Sequence, residues 1–136
     1  MPSYSEAIQA MTSFFHAAWV DTAPVIWGDD DDTAKPNNEP WLRFNARHVD
    51  GDQVSMGAPG ANRFEAVGTV TIQIFQPSGK EGLEAQAIAD AVLGIYKGAS
   101  SGGVHYSRVR ANEVGNDGHG WYQINVLADF RYEQIT

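Results

Sequence analysis

The sequence predicts an α+β domain: two helices packed on one face of a mostly antiparallel sheet of about four to five strands, in the order α-β-β-β-α-β-β. Three observations predict it. Two segments carry apolar residues at helical spacing, each preceded by the start signal S-x-x-E. Four segments alternate apolar and polar residues, as half-buried strands do. The alternating segments come in pairs joined by glycine-bearing turns, so they form hairpins and antiparallel neighbours.

The first helix is expected from Ser3 to Val20. Ile8, Met11, Phe15, Ala18 and Trp19, with Phe14 beside them, mark one helical face, and Ser3 with Glu6 forms a capping box. Pro24 to Trp27 reads as a short strand or extended run. Gly28 to Pro40 reads as loop, because four adjacent carboxylates, Asp29 to Asp32, repel one another and resist burial.

Trp41 to Val49 alternates, with Leu42, Phe44 and Ala46 on one side and Arg43, Asn45 and Arg47 on the other. Asp50-Gly51 is expected to begin a turn, and Asp50 to Asn62 to form a protruding hairpin tip. Arg63 to Gln76 is the clearest strand. Phe64, Ala66, Gly68, Val70, Ile72 and Ile74 share one face, and Glu65, Thr69, Thr71 and Gln73 the other. Its length calls for a bulge or bend, with Gly68 the natural place.

Ser78 and Glu81 repeat the capping signature. Leu83, Ala87, Ile88, Ala91, Val92, Ile95 and Tyr96 then define a second helical face, closed by Gly98. Ala99 to Gly103 reads as a flexible loop. Val104 to Val114 is a polar strand, with Tyr106, Arg108 and Arg110 set against Val109 and Ala111. Gly115 to Gly120 is a turn. Trp121 to Tyr132 alternates again, with Tyr122, Ile124, Val126, Ala128, Phe130 and Tyr132 on one side.

Composition bounds the function. The 136 residues fit one domain, residues 1–136. There are no cysteines, which excludes disulfides, thiol catalysis and cysteine-ligated zinc. No apolar run has membrane-spanning length, and the N-terminus lacks the pattern of a signal peptide, so the expectation is a soluble protein made in a cytoplasm, without a membrane partner. A net charge of −8 and a pI near 4.7 disfavour phosphate-contacting nucleic-acid binding.

Chemical motifs fail on context. Gly98-Ala99-Ser100-Ser101-Gly102 matches G-x-S-x-G, but the motif needs a strand before it and a helix after it, and here the order is reversed. Gly79-Lys80 lacks the first glycine and the hydroxyl residue of a phosphate loop. Gly115 to Gly120 leads into a strand rather than a helix, unlike a dinucleotide loop. The four consecutive aspartates do not alternate as calcium ligands do. His16, His48, His105 and His119 show no metal-ligand spacing. The reading is no catalytic, cofactor or metal residue, and Trp19, Trp27, Trp41 and Trp121 as core or interface anchors.

Against that background, a sequence of short patterns stands out along nearly the whole chain: Phe14-Phe15-His16-Ala17-Ala18-Trp19, Ala23-Pro24-Val25-Ile26-Trp27, Glu39-Pro40-Trp41-Leu42-Arg43, Arg63 to Phe75 with its Ile72-Gln73-Ile74-Phe75 ending, Pro77-Ser78-Gly79-Lys80-Glu81-Gly82, Ala89-Asp90, Gly120 to Val126, and Phe130-Arg131-Tyr132. In this order they resemble the tail terminator (tail completion) proteins of long-tailed bacteriophages, the lambda-type family included. The resemblance implies an α/β virion subunit, with no enzymatic role, that assembles as a ring, typically a hexamer, at the head-proximal end of the tail. There it ends tube polymerisation and offers a surface to the head. The implied partners are further copies of itself, the tail tube protein and head–tail connector proteins, with DNA passing without specific binding. Assembly would take place in the host cytoplasm.

A closed ring needs two different patches on each subunit. The candidates are the polar strand faces with Arg43, Arg47, Arg108 and Arg110, the hairpin tip with Met56, and Arg63 at its base. Two alternatives belong beside this reading: another connector, stopper or minor tail protein, and a small-ligand-binding α+β module, which needs a convergent polar pocket.

Overall fold

The computed structural model describes residues 2–19, 23–28, 39–79 and 82–135. The Asp29–Asp32 run, Val20, Lys80 and Glu81 lie outside the described residues. Among the described residues eight elements follow one another: α1 (Tyr4–Ala18), β1 (Val25–Trp27), β2 (Trp41–Gln53), β3 (Arg63–Pro77), α2 (Leu83–Tyr96), β4 (Ser100–Ser101), β5 (Val104–Asn116) and β6 (Trp121–Ile135). They form one six-stranded sheet in the order β1-β2-β3-β6-β5-β4. β1 runs parallel to β2, and the other described pairs are antiparallel.

The α+β class stands, and the strand count among the described residues is corrected to six. The extra strand is Ser100–Ser101, in the stretch expected to be a loop. Gly102 and Gly103, both at positive φ, turn the chain tightly enough for Ser101 to pair with Val104 and Ser100 with His105. The sheet is also mixed, because β1 joins it in parallel.

α1 begins as its sequence predicts. Ser3 Oγ accepts from the Glu6 amide at 3.3 Å, and the Ser3 amide donates to Glu6 Oε1 at 3.1 Å. These bonds hold the Glu6 carboxyl below its ordinary pKa. Ala7, Met11 and Phe15, a turn apart, point into the core and are fully buried.

α2 departs from its prediction. Its N-cap is Gly82, in a left-handed conformation with φ 73° and no side-chain cap of its own. The cap comes instead from β3: Gln76 Oε1 accepts the Ala85 amide at 2.7 Å in the interior. Gly82 is required on two counts, since a Cβ there would also lie 2.7 Å from the Tyr122 ring. The buried stripe is Ala85, Ile88, Ala89, Val92 and Tyr96, not the one starting at Leu83, which is 63% exposed. Ala87 and Ala91, expected inside, are exposed. The stripe keeps helical spacing but is rotated from the expected one, and it turns two small alanines toward the sheet.

β2 and β3 are longer than expected and pair along nearly their whole lengths. Asp50-Gly51 does not start a turn. The strand runs on to Gln53, and the connection is residues 54–62. The expected bulge exists, but on the opposite strand. His48 pairs with Gly68 and Asp50 with Val67, which leaves Val49 as the extra residue. Gly68 serves close approach: a Cβ there would lie 2.2 Å from the Arg47 carbonyl oxygen and 2.5 Å from Phe130 Cζ.

Both helices cover one face of the sheet. Leu42 and Phe44 from β2, Val70, Ile72 and Ile74 from β3, Val104 and Tyr106 from β5, and Ile124 to Tyr132 in alternation from β6 meet Met11, Phe15, Val92 and Tyr96 there. Phe15 stacks on Trp19, Phe44 and Tyr96 at centroid distances of 5.7 to 6.1 Å, and Trp27 meets it edge-on. Burying a side chain of that size contributes roughly 2–3 kcal/mol. Burial also pushes the Tyr96 and Tyr106 hydroxyl pKa values well up, and both stay neutral.

Candidate functional site

Among the described residues no helix lies on the other face of the sheet. Strand alternation puts the polar residues there, in transverse rows fixed by the register. One row runs Arg43, Gln73, Asn125 and Asn112; the next Asn45, Thr71, Leu127 and Arg110; the next Arg47, Thr69, Asp129 and Ser107. Part of these rows lines a shallow open trough over the middle of the sheet, with Asn45, Arg47, Thr69, Thr71, Gln73 and Arg110 on its walls. At one end the trough meets aromatics: Trp41 stacks on Phe75 at 4.2 Å and meets Trp121 edge-on.

Charge on this face is organised around three carboxylates. Asp129 takes Arg110 at 3.2 Å and Arg108 at 3.5 Å, with the Thr69 hydroxyl also donating to it at 3.3 Å. Glu133 takes Arg63 at 2.5 Å, which lowers the Glu133 pKa and raises that of Arg63. Glu65 takes Arg131 at 3.8 Å. All are solvent-accessible pairs, so salt and water screen them, and they orient side chains more than they stabilise the fold.

The six residues expected at an interface fall into three settings. Arg43 and Arg47 lie on the open face of β2. Arg43 is engaged within the chain, over the Trp41 ring at 5.9 Å and donating to the Gly28 carbonyl at 3.3 Å. Arg47 is exposed and in no ion pair among the described residues. Arg108 and Arg110 converge on Asp129 across the β5–β6 pair. They do not follow the simple alternation expected of them, because the register shifts between Ser107 and Arg110 and Arg108 adopts φ 50°. Met56 stands at the hairpin tip, 87% exposed, with Arg63 at its base.

Sequence reasoning missed the acidic partners Asp129, Glu133 and Glu65, because each meets its arginine only across a strand pairing. It also missed His48, which sits on the helix side just before the bulge. Its Nε2 is 2.5 Å from the Tyr132 hydroxyl, Tyr4 stacks on it at 4.2 Å, and Phe130 meets it edge-on. Burial lowers its pKa, and its Nδ1 has no hydrogen-bond partner among the described residues.

The chemical motifs stay apart. Ser100 faces His105 across the β4–β5 pair, both exposed, and no hydrogen bond joins them among the described residues. Among the described residues no group of three His, Asp or Glu side chains is placed to hold a metal ion, and no helix is long and apolar enough to cross a membrane.

No protein-family model matches the chain, and no curated protein matches it in sequence. Solved structures do share its fold. One aligns over 97% of this chain and 96% of its own with a TM-score of 0.69 and 17% identity. Another comes from the virion of a native gene transfer agent particle. It aligns over 97% of this chain and 100% of its own, with a TM-score of 0.50 and 18% identity.

Proposed function

We propose that this chain is a structural, non-catalytic subunit of a phage-type particle, a tail terminator that closes the head-proximal end of the tail tube as a ring, a hexamer by family resemblance. In this reading its partners are neighbouring copies, the tail tube protein and the connector, assembled in the host cytoplasm and retained in the virion. DNA passes through the ring without specific binding, as the net charge of −8 favours.

The observation that carries the reading is the open face of the sheet. It is broad, shallow and rich in arginine, amide and hydroxyl side chains, which suits contact with other protein surfaces more than enclosure of a small molecule. Two further facts support it. The order of short sequence patterns resembles tail terminators over nearly the whole chain. The fold also recurs, end to end, in a chain of the gene transfer agent virion.

Light scattering on the purified protein across a concentration series, with and without tail tubes, tests the proposal. A ring-sized mass, or a monomer that forms a ring on tubes, is the expected result. A concentration-independent monomer that ignores tubes overturns it.

A further inference from the structure

Among the described residues the sheet has two long free edges, one on each side. β1 pairs with β2 only at Leu42–Phe44, so among the described residues no strand pairs with the outer edge of β2 from Asn45 to Gln53. β4 pairs with β5 only at Val104 and His105, so among the described residues the outer edge of β5 is open from Ser107 to Asn116. Each edge offers a run of backbone donors and acceptors ready for another strand. The two short strands cover opposite ends of the sheet, so the free stretches are diagonal to each other.

The edges carry net charge of opposite sign: Asp50 and Asp52 outweigh Arg47 on the free stretch of β2, and Arg108 and Arg110 outweigh Glu113 on that of β5. On β2 the open face shows Asp50 and Asp52, which are in no ion pair among the described residues. On β5 it shows Arg108 and Arg110, two guanidiniums that share the single carboxylate of Asp129. Exposed apolar side chains lie along the same two edges: Val49 at 70% and Val114 at 49%, with Val54 and Met56 where β2 leads into its hairpin tip.

We propose that copies of this chain join edge to edge, the free β5 edge of one pairing antiparallel with the free β2 edge of the next, with Arg110 and Arg108 opposite Asp50 and Asp52. The inference rests on the ring reading above and gives its subunit contact. Direction and register both permit it. Within one subunit β2 and β5 run in opposite directions, so a neighbour rotated about an axis along the strands presents an antiparallel partner. Within one subunit Arg110 stands level with Asn45, through Leu127 and Thr71. A stagger of about four residues, ~14 Å along the strand, brings Arg110 level with Asp50 and lays the free stretches side by side; staggers of this kind accompany closure of a sheet. The contact is heterologous, β5 against β2, which is what a ring requires.

Bulges and charges also protect lone edges from indiscriminate pairing, and the register shifts at His48/Asp50, Ser107/Arg110 and Glu113/Gly115 all fall on these two strands. Protection alone has no need of opposite signs on opposite edges. Complementary signs let each edge accept the other and reject its own kind.

The chain has no cysteine, so introduced ones report without background. Within a subunit, positions 50 and 110 are three strand spacings apart, roughly 14 Å or more, too far for a disulfide. Under mild oxidation at concentrations or on tubes where rings form, D50C/R110C is expected to give a ladder of covalent multimers. Mixing D50C with R110C should give heterodimers. D50K/D52K should weaken assembly by roughly tenfold or more, with the monomer still folded by circular dichroism, and adding R108D/R110D to that chain should restore it. Rings that form with no 50–110 cross-link, and whose mass D50K/D52K leaves unchanged, overturn the edge contact while the ring reading stands. Protein that stays monomeric in every condition, tubes included, overturns both.

Discussion

The helix-covered face and the open face of this sheet are built from the same strands, one residue out of step. Leu42, Phe44, Ile72, Ile74, Ile124 and Val126 turn inward and are almost fully buried. Their chain neighbours Arg43, Asn45, Thr71, Gln73, Asn125 and Leu127 turn outward into rows that meet water. One parity of residues specifies the fold through close packing, and the other is free to specify what the protein touches. A substitution on one face should therefore act on stability, and on the other on the ring assembly proposed above.

Phe15→Ala against Arg47→Ala is the sharpest way to break that division. Phe15 is fully buried among Trp19, Trp27, Phe44 and Tyr96. Truncating it leaves a cavity that a packed aromatic cluster cannot refill, and a loss of about 4 kcal/mol is expected in urea denaturation. Arg47 lies exposed on the other face, so its truncation should change stability by no more than about 0.5 kcal/mol. Comparable losses for the two would mean that the open face also holds the fold together.

The same division explains what the sequence made legible. Alternation announces a strand and its inward face, so β3 and β6 were readable almost residue by residue. The capping box of α1 was readable because both of its bonds are local. What escaped depends on distant partners. Ser100–Ser101 becomes a strand only because Val104 and His105 fold back onto it. The bulge opposite Gly68 belongs to β2, where nothing in the local sequence marks Val49 as surplus. At the candidate site the arginines were visible as a residue type, whereas Asp129, Glu133 and Glu65 gained meaning only from the register. The free edges were invisible for the same reason, since an edge is defined by what fails to pair with it.

Gln76 offers a finer probe, because it caps a helix from another element. Ser78 was the local candidate, yet the acceptor for the Ala85 amide is the buried carboxamide of Gln76. Gln76→Leu leaves that amide buried without its acceptor and should cost about 1–2 kcal/mol. The loss is held down because the Gln76 Nε2 it removes has no partner among the described residues. Ser78→Ala, at an exposed position, should stay within about 0.5 kcal/mol. Equal costs for the two in urea denaturation would return the cap to the local signal.

The smallest effect belongs to His48, where the covered face frays toward water. Its ring is held by the Tyr132 hydroxyl and by Tyr4 and Phe130, and burial disfavours its charged form. The folded pKa lies below the ordinary value of 6.5. As pH falls through that ordinary value, the unfolded chain takes up its proton first, so stability present above it is lost until the folded ring titrates in turn. Urea midpoints between pH 8 and about 5 should therefore decline more steeply for the native chain than for His48→Gln, which keeps a polar group beside Tyr132 but does not titrate. His16, His105 and His119 are common to both chains and drop out of the difference. Parallel curves would show that water reaches the His48 ring freely in the folded state, and would move the boundary of the covered face inward from β2's bulge.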